Sequence, residues 1–202
     1  MRGVEPHRKL VKHYDEPGHF HELTFSCYQR VPLLTNDTWR EMLSRAIDRA
    51  LVRHKYCLAA FVYVPEHVHL LVWPQDGASE VEHLLKAVKR PYSYRIKQLL
   101  IAGHSPLLKR LTGRQPPGVM TFRYWQEGPG YDRNLTERES ILASIDYIHM
   151  NPVRRGLCPR AIDWRWSSAR FYLNDGKQED DALPTIHGLP FEVLNGNGSL
   201  GV

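Results

Sequence analysis

Cysteine is scarce in this chain, and long apolar runs are missing from it. The longest hydrophobic stretch, Leu58–Val64, is strand-sized and far below the roughly 20 residues of a membrane span. The opening residues, MRGVEPHRKL, contain no apolar core of the kind a secretory leader uses. The three cysteines, Cys27, Cys57 and Cys158, are scattered and odd in number. No disulfide scaffold is expected, and a reducing cytoplasm is the expected compartment. No internal repeat is visible. What the chain does have is enough length, 202 residues, to bury a core without covalent or metal staples.

Charge is unevenly placed. Lys and Arg number 27 against 22 Asp and Glu. Asn174–Val202 holds one base, Lys177, and five acids, whereas Leu85–Arg133 holds ten bases and two acids. The basic segment is interleaved with Tyr92, Tyr94, Tyr124, Trp125 and Tyr131. Cations for phosphates and rings for stacking favour a polyanionic partner with bases. A merely solvated basic face is the plain alternative.

Residues 1–19 read as a polar arm and Phe20–Gln29 as a strand. Leu33–Asp37 is a loop with capping residues. Trp39, Met42, Leu43, Ala46, Ile47, Ala50 and Leu51 then fall on one helical stripe. Leu58–Val64 and His67–Trp73 are two strands separated only by Pro65 and Glu66, a tight hairpin. Ser79 and Glu82 form a capping box for a helix marked by Val81, Leu84, Leu85 and Val88, with a break expected near Pro91. Gly103–Gly118 reads as a loop and Val119–Gln126 as a strand. A second capping box, Thr136–Glu139, opens a helix with Ile141, Leu142, Ile145 and Ile148 on one side, bounded by Pro152 and Gly156. From Asn174 onward periodicity stops, and the segment reads as an acidic, Gly-rich tail. The expected division is therefore arm 1–19, domain 20–173 and tail 174–202. The order β-α-β-β-α-β and then a helix predicts an α+β fold, the ferredoxin-like split β-α-β sandwich with an antiparallel sheet and an additional C-terminal helix.

Two constellations carry chemistry. In a strand, His67 and His69 point to one face, about 7 Å apart along it, and two such imidazoles can share a metal. The plain alternative is a pair of half-buried polar strand residues. On the last helix, Tyr147 and Asn151 lie one turn apart, beside Ser140 and Ser144 and off the isoleucine stripe. A tyrosine flanking the core and an asparagine preceding a proline would read the same way. Together, two imidazoles and an amide oxygen make a three-ligand divalent site with a phenol beside it, suited to phosphodiester chemistry.

The strings YVPEHVHLLVWP (Tyr63–Pro74), DYIHMNPVRRGL (Asp146–Leu157) and WRWSSARFYL (Trp164–Leu173) resemble the single-tyrosine HUH transposases. The branch they are most similar to is that of the REP-associated tyrosine transposases, relatives of the smallest insertion-sequence transposases. The resemblance covers roughly residues 20–173. It implies a metal-binding pair, His67 and His69, a third ligand position, Asn151, and a catalytic tyrosine, Tyr147. It implies a divalent ion, Mg²⁺ or Mn²⁺. It implies cleavage of single-stranded DNA beside a hairpin, through a 5′-phosphotyrosine that leaves a free 3′-OH. Glu66 departs from the pattern, standing where an asparagine is common.

Lys86, Lys89, Arg90, Arg95, Lys97, Arg154 and Arg155 are the expected contacts to the DNA backbone. The expected setting is a cytoplasmic, nucleoid-associated monomer or homodimer with no membrane partner. Tyr63, Tyr131 and Tyr172 are competing nucleophiles, and His149 lies on a different side of its helix. A water-using metal hydrolase would need a base, and Glu66, the only nearby acid, alternates to the wrong face of a continuous strand. A hairpin-binding protein or repressor without catalysis would need only the basic segment.

Overall fold

Alternation along three strands and one isoleucine stripe on a helix set the architecture. In this computed structural model residues 19–115, 118–128 and 130–194 are described. All but the last residue of the expected arm 1–19, and residues 195–202 of the expected tail, lie outside them. The elements are β1 (Phe20–Ser26), α1 (Asp37–His54), β2 (Tyr56–Val64), β3 (His67–Pro74), α2 (Val81–Ala102), α3 (Leu107–Arg110), β4 (Thr112–Gln115), β5 (Val119–Phe122), β6 (Tyr131–Leu135), α4 (Arg138–Arg154), α5 (Ala169–Leu173) and α6 (Phe191–Leu194). The main sheet has the order β2-β3-β1-β6, and every pairing in it is antiparallel. This is the split β-α-β arrangement that the element order predicts.

Leu23 and Phe25 of β1 and Val68, Leu70 and Val72 of β3 point to one face. They pack there with Leu43, Ile47 and Leu51 of α1 and Leu84, Val88 and Tyr92 of α2. On the other face Ala60, Val62, Val64 and Leu71 meet Ile141, Ile145 and Ile148 of α4. Helix α4 thus covers the face that α1 and α2 leave open. Asn36 caps α1, its side chain accepting from Trp39 N–H at 3.0 Å. Helix α4 closes in a Schellman turn: Gly156, at φ +68°, bonds Val153 O, and Leu157 N–H bonds Pro152 O at 2.9 Å.

Several sequence expectations change. The strand that completes the sheet is β6, not Val119–Gln126. Its residues YDRNL carry three strongly polar side chains, so no apolar alternation marks it. Val119–Phe122 instead pairs with Thr112–Gln115, a strand inside the expected loop, in a separate hairpin. Helix α2 runs through Pro91 without ending. Neither capping box forms. The residue preceding α2 is Glu80, and Ser79 Oγ lies 2.8 Å from His54 Nδ1. The residue preceding α4 is Glu137, without a side-chain cap. The expected tail packs back as far as it is described, with Leu183, Ile186 and Val193 buried. His187 N–H donates to Leu58 O at 2.8 Å.

The string Trp164–Leu173 also has a plain structural role. β2 is an edge strand, yet it is buried throughout. Tyr63 N–H donates to Trp166 O at 2.9 Å and Ser168 N–H to Phe61 O at 3.0 Å. Trp164 Nε1–H donates to Tyr63 O at 2.8 Å and Trp166 Nε1–H to Asp37 Oδ1 at 2.9 Å. The segment around Trp164–Ser168 therefore satisfies and covers an edge that would otherwise be open to pairing.

Candidate active site

Strand register builds half of the site. Thr24 lies opposite His69 and also opposite Tyr131, Ser26 lies opposite His67, and Glu22 lies opposite Arg133. Cross-strand partners project to the same side. The side chains of Glu22, Thr24, His67, His69, Tyr131 and Arg133 therefore share the face that carries α4. Helical spacing builds the other half. Ser140, Ser144, Tyr147, Asn151 and Arg154 follow one another at steps of four and three along α4 and line the same cleft, beside the isoleucine stripe. The open cleft between them has a volume of about 920 Å³.

At its floor His67 Nε2 and His69 Nε2 stand 2.9 Å apart, and the rings meet edge to face. Asn151 Nδ2 is 3.1 Å from His69 Nε2. The outer nitrogens are also held: His67 Nδ1 is 3.1 Å from Glu66 Oε1, and His69 Nδ1 is 2.8 Å from Thr24 Oγ1. All three residues of this cluster are buried, His67 at 5%, His69 at 4% and Asn151 at 7% exposure. Burial lowers the His67 pKa despite Glu66, which acts the other way. Burial, and then the neighbouring His67, lower that of His69 to about 3. Both shifts favour the neutral rings, which have lone pairs to offer.

A carboxylate has no proton to give, so His67 donates from Nδ1 and its Nε2 is bare. If His69 likewise donates to Thr24, two lone pairs face each other at contact distance, an arrangement that needs a cation or a proton between them. Asn151 Oδ1 is buried without a hydrogen-bond partner. Rotation of the amide about its last torsion exchanges oxygen for nitrogen toward the rings. With His69 in that tautomer, two imidazole nitrogens and the amide oxygen of Asn151 fit a divalent cation. Among the described residues no three His, Cys, Asp or Glu side chains form such a cluster.

Tyr147 stands beside the cluster, its ring edge-on to His69 with centroids 5.6 Å apart and 41% exposed to the cleft. Arg154 lies over the outer side of that ring, 5.2 Å from its centroid. The competing tyrosines are elsewhere or differently engaged. Tyr63 is wholly buried against Ser44, and Tyr172 donates to Ala59 O at 2.9 Å. Tyr131 is half exposed at the cleft wall. His149 is bonded to Ser168 Oγ at 2.8 Å and packs on Tyr172, outside the cleft.

The expected basic residues divide in two. Arg154 and Arg155 line the cleft. Lys86, Lys89, Arg90, Arg95 and Lys97 ride on α2, which packs on the opposite face of the sheet. Lys86 pairs with Glu82 at 2.7 Å, and the Lys89 ammonium sits 4.9 Å from the Phe25 ring centroid. The cleft also receives Arg133 from β6 and Arg30 from the turn after β1. Arg133 was hidden because β6 shows no apolar period. No pattern in the sequence marks Arg30, whose backbone is left-handed at φ +56°. Glu66 also differs from expectation: it belongs to the β2–β3 turn, where strand alternation does not apply. Its carboxylate reaches His67 and Arg155.

Comparison with known proteins returns no matching family model. A curated relative, the REP-associated tyrosine transposase of Escherichia coli (strain K12), is 24% identical over 140 residues, 69% of this chain and 69% of the relative. A solved structure described as a REP-associated tyrosine transposase bound to a REP hairpin superposes with a TM-score of 0.64 at 19% identity. The match covers 91% of this chain and 99% of that one. The chain is thus similar in sequence to a REP-associated tyrosine transposase and shares the fold of the solved one. Among the described residues no helix is long and apolar enough to cross a membrane.

Proposed function

We propose that this protein is a metal-dependent transposase or endonuclease of single-stranded DNA, cutting beside a hairpin through a 5′-phosphotyrosine and able to rejoin strands. The observation that carries the reading is the meeting, in one arginine-walled cleft, of His67, His69 and Asn151 with an accessible tyrosine, Tyr147. Relationship to a protein whose solved structure holds a hairpin supports the class of partner.

His67, His69 and Asn151 would hold Mg²⁺ or Mn²⁺, an ion that polarises a non-bridging phosphate oxygen and offsets charge growing in transfer. The chain's own residues do the rest. Arg154, Arg155, Arg133 and Arg30 supply cations to the phosphates. Tyr131, half exposed on the opposite wall, offers a ring for base stacking. Tyr147 Oη gives up its proton and forms a bond to phosphorus while the bond from phosphorus to the 3′ oxygen breaks, and that oxygen takes up a proton in exchange. One phosphodiester replaces another, so attack by a 3′-OH on the tyrosyl ester reseals the strand with no outside energy source. Arg154, stacked on the phenol ring, holds it at the cleft.

The testing experiment is product chemistry. Incubation of the protein with Mn²⁺ and a single strand carrying a hairpin should give a species that survives denaturant, with DNA joined through its 5′ phosphate to Tyr147. Free 5′-phosphate product, formed at an undiminished rate by Tyr147→Phe, would instead mean a water-using nuclease. Hairpin binding without any cleavage would mean a DNA-binding protein derived from a transposase.

A further inference from the structure

The turn between β2 and β3 puts a nearly buried acid, Glu66 at 8% exposure, behind the histidine pair. This turn is fixed on both sides. Cys27 N–H donates to Glu66 O and Leu34 N–H to Pro65 O, each at 2.8 Å. The acid's Oε1 lies 3.1 Å from His67 Nδ1 and is also paired with Arg155, with Arg30 at 4.0 Å. Arg155 is the residue that ends α4, the helix bearing Tyr147 and Asn151. One carboxylate therefore touches both halves of the site: a strand histidine and the end of the helix.

We propose that Glu66 is the positioning residue of the site, fixing His67 in the tautomer that leaves Nε2 bare and tying the β2–β3 turn to the end of α4. This rests on the reading that His67, His69 and Asn151 hold a divalent ion. The two histidines differ in how firmly they are held. His69 Nδ1 faces a hydroxyl, Thr24 Oγ1, which can give or take a proton. It leaves the tautomer of His69 open. His67 Nδ1 faces an acceptor that has no proton, so only one neutral tautomer fits. An unrestrained neutral imidazole prefers its proton on Nε2, the wrong place for a ligand nitrogen here. The carboxylate reverses that preference, and a carboxylate bonded to a ligand imidazole also raises its basicity. The departure of this sequence at position 66, an acid in place of the common asparagine, thereby gains a role.

Long-range ¹H–¹⁵N spectra of the histidine rings in the full-length protein, recorded without metal or DNA, test this directly. His67 should carry its proton on Nδ1, with an unprotonated Nε2. In Glu66→Leu the proton should move largely to Nε2. Mn²⁺ affinity, read by paramagnetic relaxation of water without DNA, should fall about 10- to 100-fold. Glu66→Gln, which keeps an acceptor oxygen but not the charge, should restore most of the tautomer and only part of the affinity. A wild-type His67 protonated on Nε2 overturns the proposal, whether or not any variant folds. So does a Glu66→Leu protein with unchanged tautomer and affinity. Failure of the underlying reading looks different: wild-type protein would show no Mn²⁺ binding that His67→Ala removes, whatever the tautomer.

Discussion

His67 Nε2 and His69 Nε2 approach to 2.9 Å, each ring pinned from behind by a different partner, Glu66 for one and Thr24 for the other. The pairing follows from register: Thr24 lies directly opposite His69 across β1 and β3. Removal of one ring should therefore empty the site and leave the sheet intact. His69→Ala is expected to lose Mn²⁺ binding while its circular dichroism spectrum stays that of the wild type. Retained binding would place the ion elsewhere.

Gly130 is a second consequence of how Thr24 is held. Its φ is +81°, and an added Cβ would collide with the carbonyl oxygen of Thr24. Gly130→Ala should cost about 1–3 kcal/mol of stability in urea unfolding. It should also disturb His69 through Thr24, visible as a shifted His69 ring resonance. An Ala variant of wild-type stability would mean that this loop yields without strain.

Lys89 gives a pH-dependent prediction. Burial lowers its pKa to about 8, and its ammonium sits over the Phe25 ring. The unfolded chain then binds the proton more tightly than the folded one. The stability penalty is fully present below about pH 8 and is relieved as pH rises toward the ordinary lysine value near 10.5. Lys89→Met should stabilise the protein at pH 7 by about 2 kcal/mol, with the advantage shrinking toward pH 10. Urea midpoints at the two pH values decide it. A destabilised variant at pH 7 would show that the cation–ring contact outweighs desolvation.

Salt dependence separates the two basic surfaces. Arg133→Ala and Arg154→Ala should each lower the slope of log K against log salt for hairpin DNA by about one unit. Lys97→Ala, on the far side of the sheet, should leave both slope and affinity alone. Equal losses from all three would put DNA on both faces of the molecule.

Much of this site was legible in the sequence because its residues are local to regular elements. The two-residue period of a strand put His67 and His69 on one face, and the helical turn put Tyr147 and Asn151 together beside the isoleucine stripe; the resemblance of the strings around them to a known family, not the periods alone, singled them out as a site. The element order gave the sheet order once one strand was reassigned. What could not be read depends on contacts between distant segments. Arg133 enters the cleft through β6, an edge strand whose polar residues show no period. Glu66 acts because a turn, not a strand, carries it. The five bases expected to contact DNA from α2 lie across the sheet from the cleft, and composition cannot say on which face of a sheet a helix will pack. Leu183 and Ile186 lie in a segment without period because they fill gaps in a core built by others.

The most direct test of the central claim is peptide mass analysis of the protein after reaction with Mn²⁺ and a single-stranded DNA containing a hairpin and its flank. The account predicts one modified peptide, bearing a nucleotide 5′-phosphate on Tyr147, absent from Tyr147→Phe and from His67→Ala. Cleavage with no covalent adduct, or an adduct on Tyr131 in place of Tyr147, would contradict it.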